Sequence, residues 1–322
     1  MTAQTLTSVR AKPRFRREEG EVGHERGSGP GSHVSVMVKE ALTLLDLHKG
    51  QLVVDATLGM GGHSEALLKA ADIKLIALDA DASATRSGEE RLKRFGKRVA
   101  IINANFGDLE KVLTHEGVEH IDKIIFDLGW NREQLASGRG FSFLRDEPLL
   151  MSYGEKPASG FTAADILNTW EEKVIADVLF GYGEERYARR IAKAIIARRD
   201  IKPFETTFEL VEVIRDAVPA HYRHGRLHVA TKSFQALRIA VNDELGAIEK
   251  GMRGAWKMLS PGGRAVIISF HSIEDRLIKK TFAALAKKDG RLLVKKPLVP
   301  TQSEIMNNPS ARSAKMRAIE KI

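Results

Sequence analysis

The chain contains no cysteine. That excludes disulfides, a thiolate nucleophile and cysteine-ligated zinc, and it fits a reducing compartment, so a cytoplasmic location is expected. No apolar run is long enough to span a bilayer, and no membrane partner is expected. No internal repeat recurs, no nucleophile elbow is present, and no His or acid spacing marks a metal site. Acids are in deficit. Lys and Arg number 51 against 42 Asp and Glu, for a net charge of +9. A basic balance favours polyanionic partners such as nucleic acid.

What is present suits a globular protein. The 322 residues, 43% of them apolar, are enough for one large or two modest domains. Residues 1–32 read as a disordered basic tail, with glycines at 20, 23, 27, 29 and 31 and no apolar periodicity. Pro13 interrupts the helix that a targeting presequence needs. From His33 the chain becomes patterned, with a helical pattern over Val36–Leu45. Apolar strand patterns then follow at Leu52–Val54, Leu75–Leu78, Val99–Ile102 and Lys123–Phe126, with helical patterns between them. This alternation predicts a parallel sheet covered by helices. It covers 33–134, then stops. Residues 135–232, about a hundred in all, carry helical patterns without a convincing buried strand and read as an inserted helical substrate-recognition domain. The sheet resumes in 233–322, with a fifth strand at Ala265–Phe270 and an antiparallel edge pair from Leu292–Lys296 and Lys315–Ile319.

The stretch from Leu52 to Ser64 is a strand, a glycine-dense turn and a helix start. That is the opening of a nucleotide-binding unit, and Asp79 closes the next strand where an acid meets ribose hydroxyls. A dinucleotide fingerprint wants glycine where Ser64 stands, and a phosphate loop wants a Gly-Lys-Ser/Thr that is absent. The pattern Asp55-x-Thr57-x-Gly59-x-Gly61 is closer to the loop of S-adenosylmethionine-dependent methyltransferases, and Phe106 after the third strand is placed to meet adenine or to serve the core. Asp127 begins the loop at the end of strand four, where amino-group methyltransferases hold the target nitrogen in a proline-containing loop. Here that loop is polar and has no proline.

These blocks resemble one family, the bacterial small-subunit ribosomal RNA cytosine-N4 methyltransferases of the MraW/RsmH type. The resemblance runs from about His33 to Lys321. It rests on Asp55–Ser64, Asp127-Leu-Gly129, Arg139–Phe143, Tyr182–Arg186, Ala230–Glu244, Ser269–Arg276 and Asn308–Arg317. It implies a Rossmann-like methyltransferase sheet with an inserted helical domain. It also implies methyl transfer from S-adenosylmethionine to a cytosine in the decoding centre of 16S ribosomal RNA, in the small subunit. The cofactor residues it implies are Gly61, Gly62, His63, Asp79, Phe106, Asp127 and Gln134. The sequence departs from the family at Trp130–Glu133, where Ser-Ser-Pro is usual, and at Glu147–Tyr153, where an acid and an arginine are lost. At the reacting end the candidates are Asp127, Asn131, Ser269 and His271. For RNA they are Arg186, Arg189, Arg190 and Lys193 on a basic amphipathic helix over Glu185–Asp200, with Arg238 and Asn242 sharing a face of a later helix. A structural tie between the insert and the sheet is the other reading of that last pair. The rival functions are a cofactor-binding assembly factor whose chemistry has lapsed and a methyltransferase with another nucleic-acid target. A homodimer is compatible with the sequence.

Overall fold

The computed structural model describes residues 35–129, 137–154, 156–225 and 227–322. The expectations for the N-terminal tail, Asn131 and Gln134 therefore lie outside the described residues.

The first half alternates strand and helix: α1 (Val38–Leu45), β1 (Leu52–Asp55), α2 (Gly62–Ala70), β2 (Lys74–Asp79), α3 (Ala82–Leu92), β3 (Val99–Asn103), α4 (Leu109–His115) and β4 (Ile121–Asp127). Helices follow: α5 (Ala163–Thr169), α6 (Glu172–Gly183), α7 (Ala188–Arg199), α8 (Thr207–Ala217), α9 (Ala220–Arg223), α10 (Thr231–Asn242) and α11 (Glu244–Met258). The chain ends with β5 (Leu259–Ser269), α12 (Ser272–Leu285), β6 (Gly290–Leu292), α13 (Gln302–Asn307) and β7 (Lys315–Lys321).

The strands form one sheet in the order β3-β2-β1-β4-β5-β7-β6. β1 to β5 are parallel and β7 runs antiparallel between β5 and β6. Strand side chains alternate between two cores. Val53, Leu75, Ile125 and Val266 face α1, α2 and Met316, while Val54, Ile76, Ile124 and Ile267 face α4, α11 and α12. Burial on both faces explains why these strands read as continuous apolar runs. Strand order reverses between β1 and β4, the switch point at whose carboxyl ends open α/β sheets form their ligand crevice.

A separate core joins the helices of the middle region, with Ile166, Leu179, Ile191, Ile195, Leu210 and Phe234 at its centre. It extends through Val241, so α10 packs with these helices and not with the second half of the sheet, where the pattern alone had put everything after 232. The apolar stripe of α10 faces α6 because Gly183 of α6 lies against the Lys232 carbonyl, where a Cβ would approach to 2.4 Å. Asp243, in the left-handed region at φ 46°, then turns the chain from α10 into α11.

Candidate active site at the carboxyl edge of the sheet

Three strand ends and one glycine turn build the β1 side of the crevice. The Asp55 carboxylate is buried. It accepts the Thr57 N–H at 3.1 Å and the Ser64 hydroxyl at 2.7 Å. Burial pushes its pKa up, and the neighbouring His63 is the main opposing influence. Gly59 and Gly61 turn the backbone at φ 50° and 75°, and Gly61 leads into α2. Asp79 draws this turn inward: its carboxylate accepts the Gly59 N–H at 2.8 Å and the Asp81 N–H at 2.9 Å. Each oxygen keeps capacity for a further hydrogen bond. Burial raises the Asp79 pKa to about 6 despite these bonds.

Asp127 closes β4 across the switch point. Its N–H donates to the Thr57 hydroxyl at 2.6 Å, which fixes the two strand ends to each other. His63 Nε2 lies 3.2 Å from Asp127 Oδ2. The pair is close but not aligned as a hydrogen bond, and both His63 Nε2 and Asp127 Oδ1 are buried without a hydrogen-bond partner among the described residues. Burial by itself lowers the His63 pKa. The Asp127 carboxylate, then Asp55 and Glu304, outweigh it and hold the imidazole above its ordinary range. Gly62 sits where a Cβ would come within 2.0 Å of the Ser35 hydroxyl, so the chain before α1 closes over the start of α2. Phe106 is half-buried, edge-on to Phe126 at 5.7 Å, and Gly251 of α11 leaves room for its ring. An orphaned acid beside a glycine turn and a ribose-type acid is a donor and acceptor set that fits S-adenosylmethionine. Asp79 suits the ribose hydroxyls, Phe106 the adenine, and Asp127 with Gly61–His63 the cationic methionine end.

The β5 side is different. Gly129 packs against the Phe270 ring, which brings the end of β4 beside the end of β5. Ser269 is not open to a substrate. It is buried under β7, where its hydroxyl makes a long 3.4 Å bond to the Lys315 carbonyl. His271 caps α12: Nδ1 accepts the Glu274 N–H at 3.3 Å, and the Glu274 carboxylate accepts the N–H groups of Phe270 and His271 at 2.8 and 3.2 Å. The His271 Nε2 lies 3.0 Å from Glu274 Oε1, so both ring nitrogens sit against the cap.

Arg238 and Asn242 are also taken up internally. Arg238 forms a two-pronged pair with Glu244 at 2.8 and 3.0 Å, and Tyr153 donates its hydroxyl to the same carboxylate at 2.8 Å. Asn242 accepts the Tyr153 N–H and donates to the carbonyls of Met151 and Arg238 at 2.8, 2.7 and 2.8 Å. Both take part in fastening the 139–154 loop to the α10–α11 junction, which favours the structural-tie reading of the pair over phosphate contact. Glu244, His271 and Glu274 present ligand atoms within 4.8 Å of one another. The Arg238 guanidinium already neutralises Glu244 there, which opposes a metal ion.

On the middle helices, Ala188, Ile191, Ala192 and Ile195 form the buried stripe of α7, as the periodicity predicts. Arg189, Arg190 and Lys193 are exposed on the other face, without an ion pair to any described residue. Arg186 lies over the rings of Tyr222 and Tyr187 at 5.0 and 5.4 Å. His228 stacks on Phe143, with ring centroids 4.4 Å apart. Residues to which sequence reasoning gave no contact of their own include Thr57, Ser64, Tyr153 and Glu244. For the first two a signal existed, since both lie within the glycine block. For Tyr153 there was none, because its partners are about ninety positions away.

A parallel five-strand run with a reversed β7, a glycine turn at the switch point and acids closing β1, β2 and β4 defines a Rossmann-like S-adenosylmethionine-dependent methyltransferase. The model of the MraW methylase family matches residues 31–322, and the chain belongs to that family. It is 44% identical over 308 residues to the ribosomal RNA small subunit methyltransferase H of Carboxydothermus hydrogenoformans, covering 90% of this chain and 98% of that one. The protein of the same name from Geotalea daltonii is 44% identical over 309 residues, again covering 90% and 98%. Among solved structures, an rRNA methylase from Streptococcus thermophilus aligns over 91% of this chain and 99% of its own, at 12% identity and a TM-score of 0.43.

Proposed function

We propose that this chain transfers a methyl group from S-adenosylmethionine to the exocyclic amine of a cytosine in the decoding centre of 16S ribosomal RNA, within the small subunit. The observation that carries the reading is Asp127, whose buried Oδ1 has no partner among the described residues, beside His63 and the glycine turn at the switch point. The names of the relatives supply the RNA target. The cofactor supplies an electrophilic methyl carbon when bound. The chain's own work is to hold and orient. Asp79 accepts hydroxyls, and Asp127, whose backbone N–H is held by the Thr57 hydroxyl, brings a carboxylate beside the reacting end. The cytosine amine is a weak nucleophile because its lone pair is delocalised into the ring. Alignment of that nitrogen, and acceptors that polarise it, are what the 128–136 loop has to supply. Asn131 is the candidate acceptor there and Gln134 a further cofactor residue. The helical unit is read as the substrate-recognition part, with Arg186, Arg189, Arg190 and Lys193 meeting phosphates. Such an enzyme works where small subunits are, in the cytoplasm, and the reading holds equally for a monomer or a homodimer.

The test is transfer of labelled methyl to purified small subunits, followed by mass spectrometry of the digested RNA. One N4-methylcytidine in the decoding centre is expected. Cofactor binding without any transfer would favour the lapsed assembly factor, and a modified nucleotide elsewhere would favour another target.

A further inference from the structure

A second cationic surface lies away from α7, on the β6 edge of the sheet. α12 buries Ile273, Glu274, Ile278 and Phe282. Its outer face carries Lys279 and Lys280, then Ala283 and Ala284, then Lys287 and Lys288 in the turn that continues it, all exposed. Helical spacing puts Lys280, Ala283, Ala284 and Lys287 on one side. Beyond β6 the exposed Lys295 and Lys296 extend the charge. None of these lysines makes an ion pair or side-chain hydrogen bond with a described residue. Lysines elsewhere on the surface are often paired, as Lys69 is with Glu65, Lys202 with Glu209 and Lys257 with Glu110. The nearest acid, Asp289, is turned inward onto the Trp256 indole N–H. Unneutralised like charge on one face is costly for the free protein, and an anionic partner relieves that cost. The small alanines between the lysines let a phosphate backbone approach the helix closely.

Position selects the partner. α12 starts at His271, at the active edge, and runs away from it. At 1.5 Å per residue its lysines lie about 12 to 25 Å from that edge. This geometry is a track leading off the site, long enough for several successive phosphates. We infer that the outer face of α12, with Lys295 and Lys296, binds the sugar-phosphate backbone of the substrate RNA flanking the target base. The inference rests on the proposed RNA function.

The experiment replaces Lys280, Lys287, Lys288 and Lys295 together by Gln in the full chain. It measures binding to purified small subunits from low to high salt, with S-adenosylmethionine affinity and methyl transfer in parallel. The expected result is unchanged cofactor affinity and melting temperature, at least tenfold weaker subunit binding near physiological salt, and a salt slope lower by about 0.7–0.9 for each lost phosphate contact. Methyl transfer returns at saturating subunit. Unchanged subunit affinity and slope would overturn the inference. So would a variant that only self-associates, since these lysines would then guard an edge strand against pairing. Loss of binding to anionic vesicles with subunit binding intact would assign the face to a membrane and overturn it as well. If the unmodified protein binds and methylates no RNA, the failure belongs to the proposed function and not to this surface.

Discussion

The crevice has two sides that are built in different ways. On the β1 side, Asp55, Thr57, Gly59, Gly61, His63 and Ser64 come from one short stretch, and only Asp79 and Asp127 are brought from elsewhere. On the β5 side, Tyr153 meets Asn242 and Glu244 across about ninety residues, and the end of β5 folds back under a helix cap. The first side is a rigid cradle held by backbone N–H bonds. The second is a buried polar knot joining the sheet to the helical unit. The difference predicts that changes on the β1 side strike cofactor affinity and turnover together, while changes on the β5 side strike stability first and leave the cofactor alone.

The strongest test of that division is Asp127→Ala. It removes the charge facing His63 and a buried acceptor, Oδ1, that has no partner among the described residues. Cofactor affinity should fall by about a hundredfold or more and turnover by about a thousandfold, because the loss acts where charge is stabilised. Calorimetric titration with S-adenosylmethionine and a methyl-transfer assay measure the two. Intact affinity would erase the distinction between the sides. Next in size is Glu244→Ala, which removes the two-pronged partner of the largely buried Arg238 guanidinium and the acceptor of the Tyr153 hydroxyl. Breaking such a pair from one side costs about 3–5 kcal/mol, seen as a lower midpoint in urea unfolding. Where the variant still folds, its cofactor affinity should match the parent. Replacing Arg238 and Glu244 together by apolar residues should recover much of the loss.

The contrast also accounts for what could be read in advance. Of the candidate cofactor residues, the glycine turn and Asp79 announce themselves because strand, turn and helix follow one another in sequence and an acid closes the next apolar run, while His63 and Asp127 came from the family resemblance. Strand order at the reversed edge was legible in outline, although β6 is shorter and earlier than the pattern Leu292–Lys296. Burial partners were not legible. Ser269 and His271 sit at the correct edge, yet side-chain direction at a strand end depends on β7, whose sequence lies more than forty residues on. Arg238 and Asn242 share a helix face as their spacing requires, but spacing cannot say whether that face meets solvent or a loop.

A pH titration separates the sides more gently. The folded pKa of Asp79 lies near 6, above its ordinary value of 3.8. The protonated form is therefore favoured by folding. The stability contributed by this group is full below pH 3.8 and is lost as pH rises through about 6. Cofactor hydroxyls prefer the ionised acceptor, so affinity for S-adenosylmethionine should weaken by up to about tenfold for each pH unit below 6. Asp79→Asn should bind more weakly overall and lose this pH dependence. A pH profile that keeps its shape in Asp79→Asn would move the titration to another group.

The smallest effect is expected from Ser269→Ala, and it bears on the β5 side alone. Its hydroxyl is buried and holds only a 3.4 Å bond to Lys315, near the limit of a useful hydrogen bond. Removing it leaves the Lys315 carbonyl short of one weak donor, at a cost of about 0.5–1 kcal/mol in unfolding. Turnover and cofactor affinity should stay within about twofold of the parent, since nothing at Ser269 faces the crevice and alanine preserves the strand. A turnover loss beyond about tenfold with unchanged melting would mean that the hydroxyl reaches the reacting end. That outcome would return the end of β5 to the chemistry, and the division between a cradle that binds and a knot that only holds would no longer stand.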